Sequence, residues 1–196
     1  MRRSEIVRNT RETEIKASLF LDGQGTSNIT TPIPFFNHML ETLSKHSRID
    51  LDLEVKGDVH IDQHHTVEDT GLVLGMAIKK ALGEKKGINR AGFFVFPMDE
   101  ALGLVSLDIG GRVHLQFQAT FQRQFCGDFD LDSCEDFFSG FSQGLGANLA
   151  VRVLSGRSDH HKVEALFKAL AKALAMAISF DEALKDYLPS TKGVIE

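Results

Sequence analysis

The sequence predicts an internally duplicated α+β fold, with strand–helix–strand–helix laid down twice and the helices packed between two sheets. Two observations carry this expectation. The first is a doubled motif. "DQHHTVED" near residue 60 and "DHHKVEAL" near residue 159 both place a glutamate three residues after a histidine pair. The second is that the likeness continues at an offset of 96 residues (160 − 64): His65 meets His161, Val67 meets Val163 and Glu68 meets Glu164. Further on, Leu74 falls on Leu170, Ile78 on Leu174 and Leu82 on Ile178, so two long helical faces coincide.

The first half opens with "TEIKASLFLDG", whose alternation reads as a strand. "PFFNHMLETLSKH" follows as a helix, with Pro34 suited to its first turn. "IDLDLEVKG" alternates again, and the helix after His64 ends where Gly83 and Gly87 stand. In the second half, "GFFVFPMDEALGLVSLDIGG" and "RVHLQFQATF" are strand-like. A helix over "SCEDFFSGFSQGLG" starts near Ser133, "ANLAVRVLSG" is a strand, and apolar residues at 163, 166, 167, 170, 174, 177 and 178 trace one face of the last helix. No low-complexity linker divides these parts. The chain therefore reads as one domain, 1–196, made of two pseudo-repeats of about 1–90 and 91–196.

Composition narrows the function. A net charge of −5, with no block of lysines or arginines, opposes nucleic acid or an anionic membrane as the main partner. Cys126 and Cys134 are the only cysteines and form no Cys-x-x-Cys pair, so neither a disulfide framework nor a thiolate zinc site is expected. The basic start "MRRSEIVRNTRETEIK" has no apolar run behind it, which leaves a cytoplasmic protein as the expectation.

On a helix, residues i and i+4 share a face, so His64 with Glu68, and His160 with Glu164, can each hold one ion. Adjacent residues diverge by roughly 100°, so each histidine pair serves two ions, or one ion and one partner. Imidazole and carboxylate donors suit manganese, zinc, iron or nickel better than calcium. With no thiolate, a mixed site with open positions points to a catalytic ion. A single HHxxE at a helix start also reads as a solvated first turn; two copies at matching positions are what argue for metal. The repeat also makes His38 and Asp136 equivalent, 26 residues before His64 and 24 before His160 (64 − 38, 160 − 136), so each can add a ligand. Without the repeat, Asp136 would be an ordinary acidic residue in a first helical turn. Paired ions with open positions also suit a dinuclear metallohydrolase acting on phosphate esters, which is the alternative reading.

The stretches "FFNHML", "HHTVEDTGLVLG", "GINRAG", "PMDEAL", "GGR", "DHHKVEALFKALAKAL" and "PSTKG" occur in order over nearly the whole chain. Together they resemble the imidazoleglycerol-phosphate dehydratases, hydro-lyases of histidine biosynthesis. The resemblance implies a ribosomal-protein-S5-domain-2-like fold with helices layered between two mixed β-sheets. It implies two manganese ions per subunit, other divalent transition metals being able to substitute, and a homo-oligomer of twenty-four with its sites between subunits. The substrate would be the small phosphate ester D-erythro-imidazole glycerol phosphate, and the product imidazole acetol phosphate. Binding of a ring nitrogen to metal would favour the imidazolate, which can expel the side-chain hydroxyl. One ion is expected on His38, His65, His160 and Glu164, and the other on His64, Glu68, Asp136 and His161. Arg90, Arg112, Lys168, Ser190 and Lys192 match substrate-lining positions, and several should hold the phosphate. Glu12 matches a glutamate that reaches the substrate from a neighbouring subunit. It is the expected acid/base group, with Glu68 and Glu164 as competitors. The chain departs from the pattern at Asp136, where the family often has histidine, at Asn37, where it commonly has aspartate, and at Ala150, where histidine is frequent.

Overall fold

A computed structural model describes residues 1–195 of the chain. Its first sheet contains β1 (Arg3–Asn9), β2 (Thr13–Phe20), β3 (Ser27–Thr30) and β4 (Asp50–Gly57), in the order β1-β2-β4-β3. Its second contains β5 (Ala91–Met98), β6 (Ala101–Asp108), β7 (His114–Gln118) and β10 (Asn148–Ser155), in the order β5-β6-β10-β7. In each sheet the short third strand runs parallel to its neighbour and the other pairings are antiparallel. The two sheets are thus mixed and share one diagram, as the repeat predicts. A small hairpin, β8 (Phe125–Cys126) with β9 (Phe129–Asp130), is inserted before the second half's first helix.

Alternation decides which sheet face is buried. Ile15, Ala17 and Leu19 of β2 pair with Val55, Leu53 and Leu51 of β4 on the inner face. Glu14, Lys16 and Ser18 pair with Lys56, Glu54 and Asp52 on the outer one. The second sheet's outer face is apolar where β5 leaves Phe93 and Val95 exposed. β1 and β3 fall outside the strands the pattern predicts. β1 has one edge unpaired and mostly exposed residues, and β3 is four residues long, so neither shows a clear apolar period.

Four helices lie between the sheets: α1 (Pro34–Ser47), α2 (His64–Leu82), α3 (Ser133–Leu145) and α4 (Asp159–Ile178). α1 and α2 rest on the first sheet, α3 and α4 on the second, and across the middle α2 packs on α3 and α1 on α4. The repeat positions are buried in both halves: Val67 and Val163, Leu74 and Leu170, Ile78 and Leu174. Among the described residues no helix is long and apolar enough to cross a membrane.

The α2–α3 contact is main chain against main chain. A methyl group on Gly140 would stand 2.2 Å from the carbonyl oxygen of Glu68, and one on Gly144 2.1 Å from that of Leu72. Gly71 and Gly75 meet the Phe137 and Phe141 carbonyls in the same way. Beneath the helix starts, Phe36, Phe129, Phe137, Phe138, Phe141 and Phe167 are fully buried, with Phe36 stacked on Phe129 and Phe137 on Phe167. These rings join α1, α3, α4 and the β8–β9 hairpin beneath the metal-type residues.

Candidate metal and substrate site

The first cluster joins α1 to α4. One ligand atom each from His38, His160 and Glu164 lies within 4.8 Å of the other two. His160 Nε2 is 3.3 Å from Glu164 Oε2, the i,i+4 approach expected of one helix face. Phe35 sets its ring edge against His160, with centroids 5.1 Å apart. Glu164 is nearly buried, and Lys168, one turn further on, donates to its Oε1 at 2.7 Å. Burial alone would raise the Glu164 pKa. The Lys168 hydrogen bond and charge, with the charges of His38 and His160, outweigh it and hold the carboxyl below its usual range. Lys168 is sequestered itself, 3.2 Å from Met98 Sδ and over the Phe96 ring.

The second cluster joins α2 to α3. Glu68 Oε2 lies 3.6 Å from Nε2 of His64, and Asp136 Oδ2 lies 2.9 Å from its Nδ1. Each cluster therefore takes residues from both halves of the duplication. The other two histidines stand apart. His65 directs Nδ1 at Asp58 Oδ2, 3.1 Å away, and Nε2 toward Glu12 Oε1 at 3.8 Å. His161 places Nδ1 2.7 Å from Glu100 Oε2 and Nε2 3.6 Å from Asp99 Oδ2. The Asp58 hydrogen bond raises the His65 pKa, helped by the charges of Glu12 and Asp62. The Ser158 N–H and His161 pull Glu100 down to about 2. Glu12 and the Asp99–Glu100 pair occupy equivalent hairpin tips, between β1 and β2 and between β5 and β6.

Within one chain, three members of the first expected ligand set, His38, His160 and Glu164, stand together, and His65 turns to Asp58. Of the second expected set, His64, Glu68 and Asp136 stand together, and His161 turns to Glu100. Adjacent helical side chains diverge, which separates each histidine pair. Asp136 lies on the nitrogen of His64 opposite the one that faces Glu68. Asn37 accepts the Thr31 N–H at 2.9 Å and braces the entry to α1. Ala150 lies on the outer face of β10, beside Gln116 of β7, and takes no part in either cluster.

Several supports carried no clear sequence signal. Asp58 and Glu100 are ordinary acids by spacing. Asp128, in the β8–β9 turn, accepts the Phe35 N–H at 2.9 Å, and its carbonyl accepts from Gln63 at 2.6 Å, so one loop clamps the starts of α1 and α2. Asp159 accepts the Gln122 and Arg123 N–H groups, and Lys162 donates to Asp159 and to the Thr120 carbonyl, tying the preceding loop to the start of α4.

Most of the expected substrate cations lie elsewhere. The Arg90 N–H donates to the carbonyl of Ala177, so Arg90 sits at the far end of α4, roughly 25 Å from His160 at 1.5 Å per residue. Its guanidinium grips Asp108 through two bonds of 2.7 and 2.9 Å and donates to the Pro189 carbonyl at 2.8 Å. The latter bond holds down the tail carrying Ser190 and Lys192, in which Ser190 Oγ accepts the Lys192 N–H. The Gly111 N–H donates to the Gly146 carbonyl, which places neighbouring Arg112 at the far end of α3. Of the five expected substrate-lining residues only Lys168 stands near a histidine cluster.

The sequence matches the imidazoleglycerol-phosphate dehydratase family over residues 31–174. The chain belongs to that family. It is 49% identical to the imidazoleglycerol-phosphate dehydratase of Thiobacillus denitrificans and 46% identical to that of Nitrosomonas eutropha, each over 100% of both chains. The crystal structure of the dehydratase from Staphylococcus aureus subsp. aureus N315 superposes with a TM-score of 0.81 at 33% identity, covering 90% of this chain and 98% of the other. That from Pyrococcus furiosus gives 0.83 at 32% identity, covering 96% and 99%. The duplicated two-sheet fold is therefore the dehydratase fold. The donors gathered at its helix starts, imidazole and carboxylate without thiolate, fit a divalent transition ion.

Proposed function

We infer that the chain removes water from D-erythro-imidazole glycerol phosphate, giving imidazole acetol phosphate in histidine biosynthesis. The observation that carries this is the His38–His160–Glu164 cluster in a chain that is 49% identical over its length to a dehydratase. The reading as a phosphate-ester hydrolase finds no support in the family match.

Two manganese ions per subunit are proposed, with other divalent transition metals able to replace them. The first sits on His38, His160 and Glu164, the second on His64 and Glu68 with Asp136 held against His64. His65 and His161 complete these shells on neighbouring subunits. The separation of roughly 25 Å between the histidine clusters and Arg90 supports that arrangement, since one subunit alone leaves the two groups apart. An assembly of twenty-four, located in the cytoplasm, is the expected form.

The ions, when bound, supply Lewis acidity toward the imidazole ring of the substrate. Arg112, Lys192 and the Ser190 hydroxyl bind the phosphate, with Arg90 fixing the tail that carries the last two. Lys168 keeps Glu164 ionised and aimed. Glu12, at an exposed hairpin tip, is the proposed group that moves a proton at the substrate carbon, since Glu68 and Glu164 are the carboxylates proposed to hold the ions. The hydroxyl beside the ring departs, the adjacent carbinol carbon loses its proton, and the resulting enol becomes the ketone by taking a proton at the ring-side carbon. The net change is loss of one water.

Incubation with imidazole glycerol phosphate and divalent manganese should yield the ketone without inorganic phosphate. Phosphate release in place of the ketone would favour the hydrolase.

A further inference from the structure

Three of the four histidines in the doubled motif hold a carboxylate against Nδ1. Asp58 does so for His65 at 3.1 Å, Glu100 for His161 at 2.7 Å and Asp136 for His64 at 2.9 Å. The contact leaves Nε2 as the free donor, and on His64 that nitrogen faces Glu68 at 3.6 Å. The exception is His160. Its neighbour at the position equivalent to Asp136 is His38, whose ligand atom lies within 4.8 Å of both other members of that cluster. His64, Glu68 and Asp136 form no such mutual group among the described residues.

The geometry has a simple cause. The two nitrogens of an imidazole face opposite sides of the ring, so a group bonded to Nδ1 stands away from an ion on Nε2. Aspartate is shorter than histidine. From the same place on the helix it ends at the near edge of the His64 ring, where an imidazole would extend past it. A carboxylate on Nδ1 fixes the tautomer and makes Nε2 a more basic donor without touching the ion.

We propose that Asp136 is a positioning residue that orients His64 through Nδ1, and that the second ion is held by fewer donors than the first. The two metal positions of this chain are therefore unequal: the site on His38, His160 and Glu164 fills first and empties last. This rests on the metal-dependent reading above, and the two can fail separately.

The test is titration of the metal-free full-length protein with cobalt(II), whose visible absorption reports ligand type and number. Wild-type protein should bind in two phases. In Asp136→Asn, which preserves shape, and in Asp136→Ala, the weaker phase should shift by about 10- to 100-fold, the range for groups that orient a ligand. The tight phase and the spectrum at saturation should be unchanged. Asp136→His should draw the phases together by adding a donor. An altered saturated spectrum in the alanine and asparagine variants would make Asp136 a ligand and overturn the proposal. An unmoved weaker phase, or a single phase in the wild type, would also overturn it. Wild-type protein that binds no cobalt would instead remove the metal-dependent reading itself.

Discussion

The two helix pairs that carry the clusters are built differently. α2 and α3 touch through their backbones, with Gly140 and Gly144 seated on the carbonyls of Glu68 and Leu72. α1 and α4 meet through side chains, with Phe35 and His38 against His160. In the first pair the spacing of the cluster-bearing helices is set by the main chain, where no rotamer change can absorb an added atom. In the second it is set by rings that can shift. The backbone-defined pair is also the one carrying the aspartate, and a rigid spacing explains why a shorter side chain there reaches only the near nitrogen of His64.

The contrast is broken most severely at the glycines. Gly140→Val should destabilise the fold by about 3 kcal/mol, at the upper end for overpacking, because the helices must separate. Chemical denaturation checks this, and near-wild-type stability would show the contact to be looser than described. On the other pair, His160→Ala should leave the fold intact and lower the affinity for one ion by more than about 100-fold, beyond what loss of an orienting group produces. On the proposed reading of two ions per chain, elemental analysis after dialysis should find one remaining.

Lys168→Met sharpens the comparison further. It strips Glu164 of its 2.7 Å partner in a nearly buried setting and should cost about 1–3 kcal/mol. The sign with pH follows from the lowered carboxyl. Its contribution is complete above the unfolded-state value near 4.3 and fades as the pH falls through the folded-state value. The methionine variant should lose that part of the acid dependence, so wild-type and variant stabilities converge toward low pH. A constant gap across the acid range would show that Lys168 acts through packing alone. The smallest effect belongs to the exposed Glu14–Lys56 pair on the outer face of the first sheet, 3.4 Å apart. Glu14→Ala should change stability by less than about 0.5 kcal/mol and leave metal content untouched.

The doubled HHxxE made much of this legible in advance. Its spacing places His64 with Glu68 and His160 with Glu164, and the alternation in "IDLDLEVKG" and "ANLAVRVLSG" places the strands that precede both helices. β1 escaped because an edge strand buries too little to show a period, and the β8–β9 hairpin because two-residue strands have none. Asp58 and Glu100 escaped for a different reason: a carboxylate that orients a histidine has no fixed sequence distance from it, being 7 residues away in one case and 61 in the other. That each cluster mixes the halves is expected from the family resemblance and not from the repeat, since it depends on which helices cross between the sheets.

Separation of the histidine clusters from Arg90, Arg112 and Lys192 by most of a helix length has a consequence for inheritance. A chain damaged at one end keeps the other end whole. On the proposed assembly, with its sites between subunits, dissociating, mixing and reassembling His160→Ala and Arg112→Ala chains should give some sites an intact histidine cluster from one parent and an intact cation patch from the other. Two inactive proteins should then regain a fraction of activity on mixing, and two alleles with these lesions should complement in one cell. Lesions in His160 and Glu164, which share one cluster, should not.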